Sequence, residues 1–234
     1  MIIHRLILQH LKHRDDSDFY VLQAEDAIQW LERSGVTFNS GVTVLDLGCG
    51  HGIFGLQLAK RGCQLTFADE FDTPPPELSG SRFLKINLDV DDIAGLGKYD
   101  VVICSNVYEH LSKPDRFIEN VGKILNPGGK LFLSWTNWLS IWGGHEFSPF
   151  HYLGSQRGHL IYDKIAKNPR KHTPYQNLFP TYIGATFKKI RATPGLKVLK
   201  MAPRYYPEFA FILRIPVLRE FLAWNCALLI TREG

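Results

Sequence analysis

Apolar positions recur at helical spacing at Tyr20, Ala24, Ala27, Ile28 and Leu31, and this first amphipathic run ends at Gly35. From there short apolar segments alternate with segments of helical period. The predicted strands are VTVLDLG (42–48), QLTFAD (64–69), RFLKINL (82–88), YDVVICS (99–105) and KLFLSW (130–135). Between the first two, IFGLQLAKRG reads as a helix with Gly62 at its end. Before the fifth, Ser112 is placed to cap a helix, with Pro114 in its first turn and Asp115 at its positive end. Phe117, Val121, Ile124 and Leu125 form its apolar stripe, and NPGG stops it. Nearly continuous apolar strands separated by helices imply a parallel sheet covered on both faces.

After Asn137 the rhythm breaks until Phe179, too long a stretch for an idle connection in a compact domain. TYIGATFKKI then reads as a helix, LKVLKM (196–201) as a strand, VLREFL as a short helix and WNCALLIT (224–231) as the last strand. The apolar segment PRYYPEFAFILRIPVLREFLAW (203–224) is expected to pack the last layer of the sheet, with a lipid-facing surface as the alternative.

Composition narrows the class. A chain of 234 residues, 45% hydrophobic and 21% charged, is ordinary for a globular protein and long enough for one sizeable core. A net charge of +4 is too mild to imply a nucleic-acid partner. Cys49, Cys63, Cys104 and Cys226 form no CxxC pair, which fits free thiols in a reducing compartment. The leading MIIHRLILQHLKHRDD has no cleavage pattern, and FAFILRIPVL is broken by Arg214 and Pro216. The expected location is cytoplasmic, with peripheral contact at a membrane surface as its extension.

The first strand runs into VLDLGCGHGIFG, where Asp46, Gly48, Gly50 and Gly52 form a D-x-G-x-G-x-G turn between strand and helix. Such glycines let the backbone approach a ligand, and the helix start offers free N–H groups. The same residues satisfy the dinucleotide pattern G-x-G-x-x-G through Gly50, Gly52 and Gly55. That pattern wants its first glycine at the end of the strand, which is Gly48. The Asp46 carboxylate also suits an amine better than a pyrophosphate. Asp69 ends the second strand, where a carboxylate can accept from both hydroxyls of a ribose.

In order, VLDLGCGHG, the acid ending strand two, LDVDDI and YDVVICSNVYEHL resemble the successive motifs of the class I S-adenosylmethionine-dependent methyltransferases over about residues 42–136. The resemblance implies a doubly wound, Rossmann-like α/β fold: a seven-stranded, mostly parallel sheet with an antiparallel last strand supplied by WNCALLIT. It implies S-adenosylmethionine as cofactor and S-adenosylhomocysteine as product. Asp46, Gly48 and Gly50 would surround the methionine part, with Ser105 and Asn106 beside it. Asp69 would hold the ribose, Asp89 the adenine amino group, and Val90 would flank the ring. The chain then divides into an N-terminal helical segment (1–41), a cofactor-binding core (42–136), a substrate-side insertion (137–180) and a helix–strand completion of one domain (181–234). The later SWTNWLSIWGGHEFSPFHYLG and IPVLREFLAWN are similar to a bacterial branch of the superfamily, some of whose members are associated with envelope sugars or lipids.

The acceptor is left to the insertion. SNVY (105–108) lacks the Pro-Pro-aromatic motif of nucleic-acid amino methyltransferases, and Cys104 follows Ile103 rather than a proline. A small-molecule, glycan or lipid-linked acceptor is therefore expected, and a nucleic acid is not. Hydroxyl methylation profits from a general base, and WGGHEFSPFHY (142–152) supplies His145 as first choice, Glu146 as orienter or alternate, and His151. Gly143 and Gly144 would swing His145 and Glu146 inward. Trp142, Phe147, Phe150 and Tyr152 would exclude water or stack on an acceptor ring, packing alone being the competing reading. No metal is expected. His145 and His151 lack HExxH spacing, and in NVYEH Asn106 replaces the first acid of a Glu-x-x-Glu-His site. Lys164, Lys167, Arg170, Lys171 and His172 form a basic run, read as a solvated face or a landing site for an acceptor phosphate. An NAD-dependent oxidoreductase and a non-catalytic cofactor-binding module are the alternative functions.

Overall fold

The computed structural model describes residues 16–154, 156–166 and 169–233. The leading segment through Asp15 and Lys167 of the basic run fall outside them. Seven strands form one sheet: β1 (Thr43–Leu47), β2 (Gln64–Asp69), β3 (Arg82–Lys85), β4 (Tyr99–Ser105), β5 (Leu125–Thr136), β6 (Leu196–Pro203) and β7 (Asn225–Arg232). Their order is β3-β2-β1-β4-β5-β7-β6. The β1–β2, β1–β4, β2–β3 and β4–β5 pairs are parallel, and β7 runs antiparallel to both β5 and β6. This is the doubly wound Rossmann-like sheet that the sequence implies.

Strand alternation divides the apolar residues between two layers. Leu45, Leu47, Val102, Cys104, Leu131, Leu133, Leu228 and Ile230 face a core completed by α3 (Pro114–Val121) and α5 (Ile183–Ala192). Val44, Val101, Ile103, Phe132, Ala227 and Leu229 face the opposite core, against α1 (Asp16–Arg33) and α2 (Ile53–Ala59). The α1 face is the predicted one: Ala24, Ala27, Ile28 and Leu31 are all buried. Asp46 falls on the α2 side by the same alternation, which brings a carboxylate under the start of that helix.

Several local expectations change. β3 stops at Lys85 rather than running to Leu88, and β5 begins at Leu125, so that residue leaves the helix stripe for the sheet. Ser112 does not cap α3. The N-cap position is Lys113, and the Asp89 carboxylate instead accepts the backbone N–H groups of Ser112 and Lys113, at 2.8 and 3.2 Å. Residues 203–224 do not simply pack a sheet layer. Leu213 is buried, whereas Phe209, Phe211, Ile215, Val217, Leu218, Phe221 and Leu222 are exposed, because tight turns and the short helix α6 (Leu218–Leu222) present only one side inward.

The stretch after β5 carries α4 (Gly158–Ile165) and short 3-10 turns at His145–Phe147 and Phe150–Leu153. It closes on its own small cluster of Trp138, Phe147 and Leu178. Glu109 anchors it through its carbonyl oxygen, which accepts from Phe179 N–H at 2.8 Å. Among the described residues no helix is long and apolar enough to cross a membrane.

Candidate active site

The strand order reverses between β1 and β4, and ligands of open α/β sheets bind outside the carboxyl ends of strands at such a point. A cleft of about 520 Å³ opens there. Its walls include Asp46, Gly48 and Gly50 from β1 and its turn, Ser105 and Asn106 from the end of β4, and Glu109, His110, His145, His172 and Arg204.

β1 ends at Leu47, so Gly48 and not Gly50 follows the strand directly, which favours the D-x-G-x-G-x-G reading over the dinucleotide fingerprint. Gly48 sits at φ +71°, and a Cβ there would meet Val107 Cγ2 at 2.4 Å. Both the backbone angle and the close approach demand glycine. Asp46 Oδ2 accepts from Gly55 N–H, and Asp69 Oδ2 from Gly50 N–H, each at 2.8 Å. The two acids thus hold the glycine turn from either side. Burial, reinforced by the charge of Asp69 and opposed by the Gly55 hydrogen bond, pushes the Asp46 carboxyl up to about 7. A buried carboxylate of this kind favours a cationic partner.

Ser105 and Asn106 are not free-standing side chains. Arg204 Nη1 donates to Ser105 Oγ at 3.0 Å, Ser134 Oγ at 3.1 Å and Asn106 Oδ1 at 3.2 Å. Asn225 Nδ2 donates to the same Asn106 oxygen at 2.8 Å. Asn106 adopts φ +56°, a left-handed conformation that asparagine tolerates. Glu109 is buried, with Oε1 accepting from Thr136 N–H at 2.8 Å and Oε2 without a hydrogen-bond partner. A buried carboxylate oxygen left over in the cleft wall suits a positively charged ligand.

His145 reaches the cleft as the two glycines imply. Its backbone is at φ +49°, and Gly143 passes so close to Trp138 that a Cβ would lie 1.8 Å from the Trp138 carbonyl oxygen. Burial and the neighbouring imidazoles of His172 and His110 push its pKa down to about 3, so the ring is neutral near pH 7. Glu146 does not orient His145. It accepts from His172 Nδ1, at 2.9 and 2.8 Å to its two oxygens. Burial, the largest single influence, opposes its charge, but the His172 interaction together with the backbone N–H groups of Glu146 and Lys171 outweighs it and holds the Glu146 carboxyl below its usual range.

His151 lies elsewhere. It is buried, with Nε2 3.0 Å from the Ser140 carbonyl oxygen and its ring edge-on to Trp138. Nor do the insertion's aromatics line this cleft. Phe147 fills the insertion's own core, Trp142 packs edge-on to Trp224 and Tyr152 donates to the Leu139 carbonyl. Val90 is exposed. Arg170 is committed to Asp163 at 2.9 and 3.1 Å, which leaves less of the basic run for a phosphate.

The residues that sequence reasoning passed over are His172 and Arg204. The first was one of five basic residues in a run, the second an arginine in an aromatic segment. No local spacing marks either one, since each reaches the cleft only through the tertiary fold.

A Rossmann-like sheet with an acidic glycine turn at its switch point defines a nucleoside-cofactor enzyme of the methyltransferase class. A family model described as "Methyltransferase domain" matches residues 20–168. An uncharacterized methyltransferase of Mycobacteroides abscessus is 31% identical over 230 residues, covering 91% of this chain and 86% of its own. One of Mycobacterium tuberculosis is 29% identical over 235 residues, covering 94% and 90%. Among solved structures, an S-adenosylmethionine-dependent methyltransferase of Mesorhizobium loti superposes with a TM-score of 0.57 at 18% identity, covering 89% of this chain and all of that one. Magnesium protoporphyrin IX methyltransferase of Synechocystis, solved with S-adenosylhomocysteine, gives 0.56 at 16% identity, covering 93% and 86%. The chain belongs to the methyltransferase domain family, within the class I S-adenosylmethionine-dependent superfamily. It is an enzyme of that activity and uses S-adenosylmethionine as its methyl donor.

Proposed function

We propose that this methyltransferase acts on a hydroxyl of a small-molecule, sugar or lipid-linked acceptor. The observation that carries the reading is that one cleft is lined both by the Asp46–Gly48–Gly50 turn and by His145 and the Glu146-oriented His172.

When bound, S-adenosylmethionine supplies a methyl on a sulfonium sulfur; the new O–C bond forms as the C–S bond breaks, and its electron pair passes to sulfur. Asp46 would face the cationic amine, Gly48 and Gly50 would offer close backbone approach, and Ser105 and Asn106, fixed by Arg204, would flank the methionine portion. Asp69 is assigned to the ribose and Val90 to the adenine ring. Asp89 uses Oδ1 on the start of α3, so its role toward the adenine amino group falls to Oδ2. Glu109, with one buried carboxylate oxygen unpaired, lowers the potential around the sulfonium.

On the acceptor side, His172 Nδ1–H is tied to Glu146, which leaves Nε2 to take the hydroxyl proton, and the carboxylate steadies the imidazolium. His145 stands beside it as a neutral imidazole. From the insertion after β5, His145 and His172 form the acceptor side of the cleft. His151 supports the insertion from within rather than touching the acceptor.

The test is transfer of a labelled methyl group from S-adenosylmethionine into fractionated small-molecule, glycan and lipid extracts, with S-adenosylhomocysteine binding measured by calorimetry. Alkali-stable label in a hydroxyl-derived ether is the expected product. Label that enters only amines or protein sinks the hydroxyl assignment.

A further inference from the structure

Three imidazoles from three separate segments meet at the acceptor end of the cleft: His110 beyond β4, His145 in the first turn of the insertion and His172 beyond α4. Ring centroids are 5.4 Å apart for His110 and His145, 4.6 Å for His145 and His172, and 5.1 Å for His110 and His172. One ring nitrogen from each lies within 4.8 Å of the other two. Among the described residues no hydrogen bond joins one of these rings to another.

Their partners decide which nitrogens are left. His110 Nδ1 lies 2.6 Å from the Asn177 carbonyl oxygen. A carbonyl only accepts, so Nδ1 carries the proton and Nε2 keeps its lone pair. His172 Nδ1 faces the Glu146 carboxylate at 2.8 Å, which sets the same tautomer. The Nδ1 of His145 is buried without a hydrogen-bond partner. Imidazoles that ligate metals are held in this manner, donating the second ring N–H to a carbonyl or carboxylate.

We propose that His110, His145 and His172 bind one divalent transition-metal ion of the imidazole-favouring kind, represented by Zn²⁺, with Asn177 and Glu146 fixing two of the ligands from behind. Imidazole suits zinc, iron, nickel and copper, whereas magnesium and calcium prefer oxygen. Ligand nitrogens at 2.0–2.1 Å from a tetrahedral ion stand about 3.4 Å apart, so the rings draw in by about 1 Å on binding. Three protein ligands leave one position open, and all three rings line the cleft, so that position faces an acceptor oxygen. Binding of the ion stands on this geometry alone. Its role, to make an acceptor hydroxyl easier to deprotonate with the proton leaving to solvent, rests on the hydroxyl reading above and takes the place of His172 as base, because the ion occupies the same Nε2 lone pair.

The experiment uses the full chain, freed of metal by chelator and titrated with Co²⁺ as a visible-absorbing probe and then with Zn²⁺ in competition. One Co²⁺ per chain with visible bands, displaced by Zn²⁺, is expected. Both His110→Ala and His172→Ala should abolish the bands, and Glu146→Gln should weaken affinity about 10–100-fold. S-adenosylhomocysteine calorimetry on every variant confirms that the cleft is folded. Folded wild-type chain without stoichiometric bands, or unchanged Co²⁺ affinity in folded His172→Ala, overturns the site. Metal binding without S-adenosylhomocysteine binding sustains the ion site while removing the cofactor reading. Cofactor binding without metal binding does the reverse.

Discussion

His172 and Glu146 form a dyad in which Nδ1 of the imidazole lies 2.9 and 2.8 Å from the two carboxylate oxygens. The carboxylate sets the tautomer and stabilises the charged ring, as the buried acid does in other acid–histidine pairs. Glu146→Gln keeps the shape but removes the charge. Turnover should fall about 100-fold or more, because the imidazole loses the carboxylate that fixes its tautomer. S-adenosylhomocysteine affinity should stay within about twofold of wild type, since Glu146 is outside the glycine turn. Unchanged turnover would show that the dyad is only structural.

Asp46 carries a pH dependence of its own. Burial first, and then Asp69, raise its pKa from 3.8 to about 7 in the folded chain. The folded state therefore holds more protons than the unfolded state between those values. Its contribution to stability is full below 3.8 and is lost as pH rises through about 7. A cationic cofactor amine favours the ionised form, so binding should release a proton below pH 7. Calorimetry in buffers of different ionisation enthalpy checks this: proton release should appear at pH 6, shrink by pH 8 and be absent in Asp46→Asn.

The sheet and the glycine turn were legible in the chain because both are local patterns. The nearly continuous burial of β1 and β4, and an acid two residues before Gly48, are set by neighbours in sequence. The acceptor side was not legible in the same way. The WGGHE stretch drew attention to His145 and His151 as a pair, yet the fold separates them and brings His145 to His110 and His172. The close pass of Gly143 by the Trp138 carbonyl and the left-handed backbone of His145 are features of the folded turn that no local spacing announces. Likewise Ser105 and Asn106 were expected at the cleft from the strand end, but their hydrogen-bonding to Arg204 depends on β6 and β7 closing beside β5.

Gly143→Ala tests that local geometry. A Cβ at this position would lie 1.8 Å from the Trp138 carbonyl oxygen and 2.8 Å from that of Asn137. Main chain cannot yield cheaply, so the turn carrying His145 should move by about 1 Å, enough to cost about 100-fold in turnover. The glycine turn after β1 is remote from this contact, and S-adenosylhomocysteine affinity should hold. Equal loss of both would indicate general unfolding instead.

Arg204 is buried at the junction of β4, β5 and β6, with one guanidinium nitrogen serving Ser105, Ser134 and Asn106. Arg204→Met fills much of the volume but leaves these groups short of a donor. Each buried oxygen left unpaired costs about 1–3 kcal/mol. The urea midpoint should drop clearly, and cofactor affinity should fall with it as Ser105 and Asn106 lose their orientation. Arg204→Lys should recover part of the stability and little of the affinity, because an ammonium lacks the planar fork.

His151 separates a packing role from a chemical one. Its Nε2 faces the Ser140 carbonyl at 3.0 Å, and the ring contacts Trp138 inside the insertion's core. Burial holds its pKa below 6.5, against the Ser140 and Trp138 backbone contacts that favour the charged ring. The unfolded chain therefore takes up a proton more readily, and the His151 contribution to stability is present above pH 6.5 and lost as the pH falls through the folded-state value. His151→Ala should destabilise the chain by about 1–3 kcal/mol at pH 8 through the orphaned carbonyl and the cavity, with a smaller penalty at pH 5. Turnover per folded molecule should remain within about threefold of wild type, far short of the 10²–10⁴-fold loss that removing a general base produces. Thermal melts at the two pH values, combined with active-site titration by S-adenosylhomocysteine, distinguish the two roles. A loss of turnover in fully folded protein would return His151 to the chemistry.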